Sequence, residues 1–99
     1  MMDLQGAAVL TRGTAVGGNV VFESVSTDSR ALQSGQLFVA LRGERFDAHD
    51  FLDQAVAQGA VALVVSDPAR VPAGVPALVV ADTRRALRRS VRAGLSARR

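Results

Sequence analysis

The sequence predicts an α/β fold, a small three-layer domain in which helices flank a largely parallel or mixed sheet of about four strands. Four apolar, β-rich runs predict the strands, at residues 20–25, 37–41, 60–65 and 77–81. A helical pattern lies between the second and third runs, and this order is typical of parallel neighbours joined by a right-handed crossover. The length of 99 residues allows one domain with a modest core.

Caps and apolar periodicity predict the first two helices. The first spans residues 3–10, with Asp3 as its N-cap. The second follows Asp47, which stands three residues before Asp50 in a capping-box-like spacing, and it ends at Gly59. Its apolar face consists of Phe51, Leu52, Ala55 and Val56.

A third helix carries most of the positive charge. Asp82 and Thr83 cap it, and Leu87, Val91 and Leu95 predict a narrow apolar stripe. Residues 84–99 contain seven arginines and no acid, whereas residues 1–83 contain five arginines and nine acids. We expect residues 84–99 to form a basic helix that continues to the last residue without a terminator.

Several classes of site are excluded by residues that the sequence lacks. It has no cysteine, so disulfides and thiolate metal sites are excluded, and its one histidine cannot build a zinc site alone. It also has no lysine and no glycine-rich phosphate loop. No apolar run is long enough to cross a bilayer, and a cytoplasmic protein is the default expectation.

Polar side chains follow the first predicted strand, at residues 27–30. The hydroxyls of Thr27 and Ser29 can donate to a uracil edge or to phosphate oxygens, and Arg30 can offer a forked donor to phosphate or carboxylate. The alternative is a turn that satisfies its own polar groups, with Arg30 paired to Asp28 or to Asp47. Polar loops at strand ends are where small α/β domains build ligand sites.

A second polar cluster, residues 42–49, leaves the next strand and enters a helix N-terminus, where unpaired amides favour anions. Arg45 can approach a pyrophosphate, and Phe46 can either stack on a nucleobase or lie in the core. His49 is accompanied by no serine nucleophile motif and no second metal ligand. We therefore expect a hydrogen-bonded structural histidine and assign no catalytic residue.

Residues 25–30 and 34–51 together resemble the amino-terminal domain of the Mur ligases. These ATP-dependent, amide-forming enzymes assemble the peptidoglycan stem peptide on a UDP-linked muramic acid. The resemblance covers residues 20–83, with two separated motifs in the right order and spacing. The sequence departs from the family at residues 34–36, where Pro-Gly-Asp is common in the family, and at Ala48, where glycine is frequent.

Residues 43–51 are most similar to the family member that adds D-alanyl-D-alanine to UDP-N-acetylmuramoyl-tripeptide. The alternative within the family is the preceding ligase, which adds the third stem residue and usually has Asp-Gly-Arg where His49 stands. The resemblance implies that residues matching Thr27, Ser29 and the loop 44–46 line the uridine end of the substrate site. The candidate substrate-binding residues are therefore Thr27, Ser29, Arg30, Glu44, Arg45, Phe46, Asp47 and His49.

The resemblance also implies a division of labour. Residues 1–83 would bind the UDP-linked substrate, and residues 84–99 would lead toward a central ATP-binding domain followed by a carboxy-terminal domain. ATP and Mg²⁺ would act in the parent enzyme, with no cofactor in this chain. We expect the 99 residues alone to be inactive, since they lack the phosphate loop.

The arginine-rich tail supports an alternative of another class, a small nucleic-acid or protein-interaction module. Its guanidinium groups could neutralise phosphates on RNA or DNA. Tyrosine and tryptophan are absent, however, and no recognition motif is present. We therefore expect neither nucleic acid nor a membrane as a partner.

Overall fold

A mixed β-sheet and three α-helices form the fold in this computed structural model, which describes residues 2–43, 47–94 and 97–98. The strands are β1 (Met2–Asp3), β2 (Thr14–Val16), β3 (Val21–Phe22), β4 (Ser24–Ser26), β5 (Gln36–Val39), β6 (Ala62–Val65), β7 (Ala77–Val79) and β8 (Ala97–Arg98). The helices are α1 (Leu4–Thr11), α2 (Leu52–Ala57) and α3 (Thr83–Arg92), with short 3-10 helices at Ala48–Phe51 and Pro68–Arg70.

The main sheet has six strands in the order β2-β7-β6-β5-β4-β8. All of them run parallel except β2, which pairs antiparallel with β7, while β1 and β3 form a separate antiparallel pair. The predicted largely parallel or mixed sheet is thus confirmed, but it is wider than the four strands expected. The additional strands β2 and β8 are three and two residues long, too short to show an alternating pattern in the sequence.

Helices cover both faces of the sheet, as predicted for three layers. Alternate residues of a strand point to opposite faces. On one face, Leu37 packs in a cluster with Leu4 of α1 and Ala86 of α3. On the other face, Phe38 packs in a cluster with Leu52 of α2. The sheet therefore separates two apolar clusters, and α2 lies alone among the α-helices on its side.

Local capping signals position the helices. Asp3 caps α1 by accepting a hydrogen bond from the Gly6 amide, and Asp82 caps α3 by accepting from the amides of Arg84 and Arg85. Both caps were predicted. The helices described here are at most ten residues long, and none in the described part of the chain has the length and apolarity to cross a membrane.

Two predictions about α3 are wrong. The helix ends at Arg92 and is followed by Gly94 with a φ of +97°, so it does not continue through residues 84–99. Its buried residues are Thr83, Ala86 and Ser90, whereas Val91 of the predicted stripe is 46% exposed. The small side chains let the helix pack closely against α1. Leu87 is partly buried beside them, and Leu95 lies outside the described residues.

Candidate functional site

A cleft of about 600 Å³ opens where β4 and β5 end. It is lined by residues 27–30, Phe38, Ala48, Phe51 and Gln54. Sites for small organic ligands typically have this volume. The polar turn after β4 therefore meets the start of the helical segment after β5.

The turn after β4 is held by its own side chains. The Asp28 carboxylate accepts hydrogen bonds from the Arg30 amide at 2.9 Å and from the Arg30 guanidinium at 3.4 Å. The bond from the Arg30 amide is the main reason why the pKa of Asp28 is lowered. The Arg30 side chain nevertheless stays 81% exposed at the cleft. The expected Asp28–Arg30 pair is thus present, and most of the guanidinium surface remains accessible.

Ser29 ties this turn to α2. Its hydroxyl donates to the side-chain carbonyl oxygen of Gln54 at 2.9 Å, and Ser29 is almost fully buried. Thr27 lies beside it, partly exposed on the cleft wall. Gln54 was not predicted from the sequence. Its spacing of three residues from Phe51 is the signal that could have placed both side chains on one helical face.

Phe51 was predicted in the apolar face of the second helix, but it is 45% exposed and lines the cleft. The segment Ala48–Phe51 is a 3-10 helix, so the α-helical periodicity assumed for Phe51 does not apply there. Phe38 lies at the buried end of the same cleft. An exposed aromatic ring beside hydroxyl and guanidinium donors is an arrangement that can receive a nucleobase.

Asp47 is the centre of a polar network beside the cleft. One carboxylate oxygen accepts from the His49 amide at 3.0 Å and contacts the His49 ring nitrogen Nδ1 at 2.6 Å. The other pairs with Arg42 and Arg70, each at 3.2 Å. Burial acts to raise the pKa of Asp47, but the His49 hydrogen bonds and the charge of Arg42 outweigh it and hold the pKa at about 2.

His49 has the hydrogen-bonded structural role that was predicted. The Ser66 amide donates to Nε2 at 3.0 Å, so the ring proton resides on Nδ1 and is donated to Asp47. Ser66 Oγ lies 3.5 Å from Nε2, an order of groups like that of a serine hydrolase triad. The amide already occupies the lone pair of Nε2, and the ring is fully buried. His49 therefore cannot act as a general base in this arrangement.

The loop that carries Glu44, Arg45 and Phe46 lies outside the described residues, and a ligand contact from these three residues stays a prediction. Both ends of the loop are described. Arg42 and Asp47 pair as an isolated antiparallel bridge, and the Ala48 amide donates to the Leu41 carbonyl at 2.8 Å. The two ends are therefore fixed together where β5 ends.

Arg70 is a second residue of the site that was not predicted from the sequence. It reaches from the connection after β6 to pair with both Asp47 and Asp50. No local motif marks it, because its partners are 23 and 20 residues away in sequence. Among the described residues no group of three His, Cys, Asp or Glu side chains is arranged to hold a metal ion.

Comparison with known proteins gives a family match over most of the chain. The model described as "Mur ligase family, catalytic domain" matches residues 21–96. The chain is 52% identical over 75 residues to the UDP-N-acetylmuramoyl-tripeptide–D-alanyl-D-alanine ligase of Escherichia coli (strain K12), covering 76% of this chain and 16% of that protein. It is 42% identical over 94 residues to the UDP-N-acetylmuramoyl-L-alanyl-D-glutamate–2,6-diaminopimelate ligase of Geobacter metallireducens, covering 93% of this chain and 18% of that protein.

The fold is also shared with a solved Mur ligase. The crystal structure of MurF from Acinetobacter baumannii superposes with a TM-score of 0.74 at 40% identity, over 87% of this chain and 19% of that chain. This chain thus spans about a sixth to a fifth of the length of the proteins it matches. The family match over residues 21–96 shows that the chain belongs to the Mur ligase family.

Proposed function

We propose that this chain is the amino-terminal, substrate-recognising domain of the ligase that adds D-alanyl-D-alanine to UDP-N-acetylmuramoyl-tripeptide. The cleft at the ends of β4 and β5 is the observation that carries this proposal. It combines an exposed aromatic ring, hydroxyl groups and a guanidinium group within one concave surface. The 52% identity to a relative named for this activity supports it.

Each part of the cleft suits one part of a UDP-linked substrate. Phe51 offers a face on which uracil can stack, while Thr27 and backbone amides of the turn can donate to its polar edge. Arg30 offers a forked donor to the diphosphate. Ser29 and Gln54 bind each other and so fix the turn against α2. Asp47 binds His49 and pairs with Arg42, and it thereby holds together the described residues on either side of residues 44–46.

We also propose that binding here serves positioning, while the amide-forming step belongs to other parts of the parent ligase. Remote binding of this kind helps to present a reacting group, here the peptide carboxylate, in one orientation. The 99 residues contain no lysine and no phosphate loop, so ATP and Mg²⁺ would bind to the central domain of the parent. Residues 1–83 would form the substrate domain. A cytoplasmic location follows, since ATP and UDP-linked precursors are found there.

The preceding ligase of the series is the second candidate, because the Geobacter metallireducens relative aligns with 93% of this chain. Its identity is lower, at 42% against 52%. Position 49 is histidine, where that ligase usually has arginine. A comparison of the UDP-linked tripeptide with the UDP-linked dipeptide separates the two ligases when it is made in the parent enzyme.

Calorimetric titration with UDP-N-acetylmuramoyl-tripeptide tests the cleft. Ser29→Ala removes the bond to Gln54 that fixes the turn, and we expect it to weaken binding about tenfold. Ser34→Ala is the matched control, because Ser34 is an exposed serine of the same connection but does not line the cleft. Equal affinities for the wild type and both variants would show that this cleft does not hold the substrate.

A further inference from the structure

A second concave surface lies on the opposite side of the sheet from the cleft. It consists of Arg12, at the end of α1, and four arginines of α3: Arg85, Arg88, Arg89 and Arg92. We call these five residues the arginine face. The helices α1 and α3 pack on one apolar cluster of the sheet, whereas α2 and the cleft belong to the other.

The arginine face contains shallow depressions that are open to solvent. Three neighbouring cavities of about 370, 230 and 210 Å³ are lined by its side chains, and Arg89 contributes to all three. Arg85 to Arg92 span two turns of α3, a row about 10 Å long. A bound molecule can therefore meet several guanidinium groups at once.

One of the five arginines, Arg89, is held in place by a backbone contact, and another, Arg12, is the left-handed C-cap of α1. Arg89 donates a hydrogen bond from Nη1 to the Thr11 carbonyl at the end of α1, at 3.2 Å, which leaves its other N–H groups for a further acceptor. Arg12 adopts a φ of +59° and is the one non-glycine residue with a positive φ in the described part of the chain. Glycine is the usual residue in that conformation. The fold therefore places an arginine at a position where glycine would adopt the backbone conformation at a lower conformational cost.

The positive charge of this face is only partly balanced, because Asp82 is the one carboxylate among the residues that line the three cavities. None of the five arginines forms an ion pair with a carboxylate of the described residues. Asp82 accepts hydrogen bonds from the amides of Arg85 and Arg84, which lower its pKa, and the charges of Arg85 and Arg88 lower it further. Like charges three and four residues apart repel one another along a helix. A bound anion would relieve that repulsion.

We infer that the arginine face binds a small soluble molecule with three or more linked phosphate groups. Guanidinium groups bind phosphate oxygens in pairs, and three adjoining cavities suit a compact, multiply charged anion. The residues that line the three cavities include no aromatic side chain for stacking, which disfavours a nucleic-acid strand. The inference is independent of the proposed substrate cleft, because it uses none of the same residues.

Calorimetry with inorganic tripolyphosphate tests this inference, using the protein without Mg²⁺ at about 0.1 M salt, where surface charges are screened beyond about 10 Å. We expect Arg88→Ala to weaken binding about tenfold. Arg84→Ala is the matched control: Arg84 is an exposed arginine of the same helix and does not line the three cavities. It should change the affinity less than about twofold.

Further measurements identify the source of the phosphates and distinguish a loss of binding from a loss of folding. Arg89→Lys keeps the charge but loses the planar fork, so weaker binding by a variant with unchanged thermal unfolding supports the inference. If nucleoside triphosphates bind with the same affinity as tripolyphosphate, the phosphates alone are recognised. If nucleoside triphosphates bind more tightly than tripolyphosphate, the ligand is a nucleotide. The inference is overturned if tripolyphosphate does not bind, if Arg84→Ala and Arg88→Ala weaken it equally, or if a short RNA or an acidic peptide binds more tightly.

Discussion

Asp47 joins three segments of the chain at the level of single side chains. Its carboxylate contacts the start of the loop through Arg42, the 3-10 helix through His49, and the connection after β6 through Arg70. Removal of one partner from such a network leaves the others uncompensated. The ends of the loop 44–46 therefore depend on one ionised carboxylate.

The stability of the protein should depend on pH through this carboxylate. The pKa of Asp47 is lowered from 3.8 to about 2, so its contribution is fully present above pH 3.8 and is lost as the pH falls toward 2. The shift corresponds to about 2 kcal/mol in the free energy of unfolding, an upper value because 22% of the side chain is exposed.

Urea unfolding of wild type and Asp47→Asn between pH 2 and pH 7 measures this contribution. We expect the variant to be less stable at pH 7 and the difference to shrink below pH 3.8. Asp53→Asn is the control, because Asp53 is an exposed carboxylate of α2 outside the network, and it should change stability by less than about 0.5 kcal/mol. A constant difference for Asp47→Asn at every pH would contradict the account.

At the scale of elements, local signals predicted the starts of α1 and α3, whereas Asp47 caps a 3-10 helix and α2 begins only at Leu52. The caps Asp3 and Asp82 are local, because a carboxylate and the amides it accepts from are close in sequence. The buried face of α3 could not be read from local signals, since close packing against α1 selected small side chains over Val91. In the site, the residues of the turn were predictable, while Gln54 and Arg70 act on partners 25 and 23 residues away.

The packing of α3 can be tested by exchanging the two faces. Ala86 is 3% exposed and contacts the cluster around α1, so Ala86→Leu should overfill the interface and destabilise the protein by about 1 to 3 kcal/mol. Val91→Ala removes a half-exposed side chain and should cost less than about 1 kcal/mol. Urea unfolding measures both variants. A larger loss for Val91→Ala than for Ala86→Leu would favour the stripe expected from the sequence.

At the scale of the whole molecule, the sheet separates two surfaces of different chemistry. The cleft on the side of α2 combines an aromatic ring with a few polar groups, and the face formed by α1 and α3 carries concentrated positive charge. Charge alone would direct any anion to the arginine face, whereas stacking and hydrogen bonding would direct a uridine nucleotide to the cleft. We propose that stacking and hydrogen bonding outweigh charge for the UDP-linked substrate, so that it binds to the cleft and not to the arginine face.

Backbone amide chemical shifts, recorded while UDP-N-acetylmuramoyl-tripeptide is added to the isotope-labelled protein, test this claim most directly. We expect saturable shifts at Ser29, Arg30, Phe51 and Gln54, with Arg85 and Arg88 nearly unchanged. Such shifts would show that the ligand binds between the turn after β4 and the start of α2. Shifts confined to Arg85, Arg88 and their neighbours on α3, or no saturable shifts at all, would contradict the proposed function.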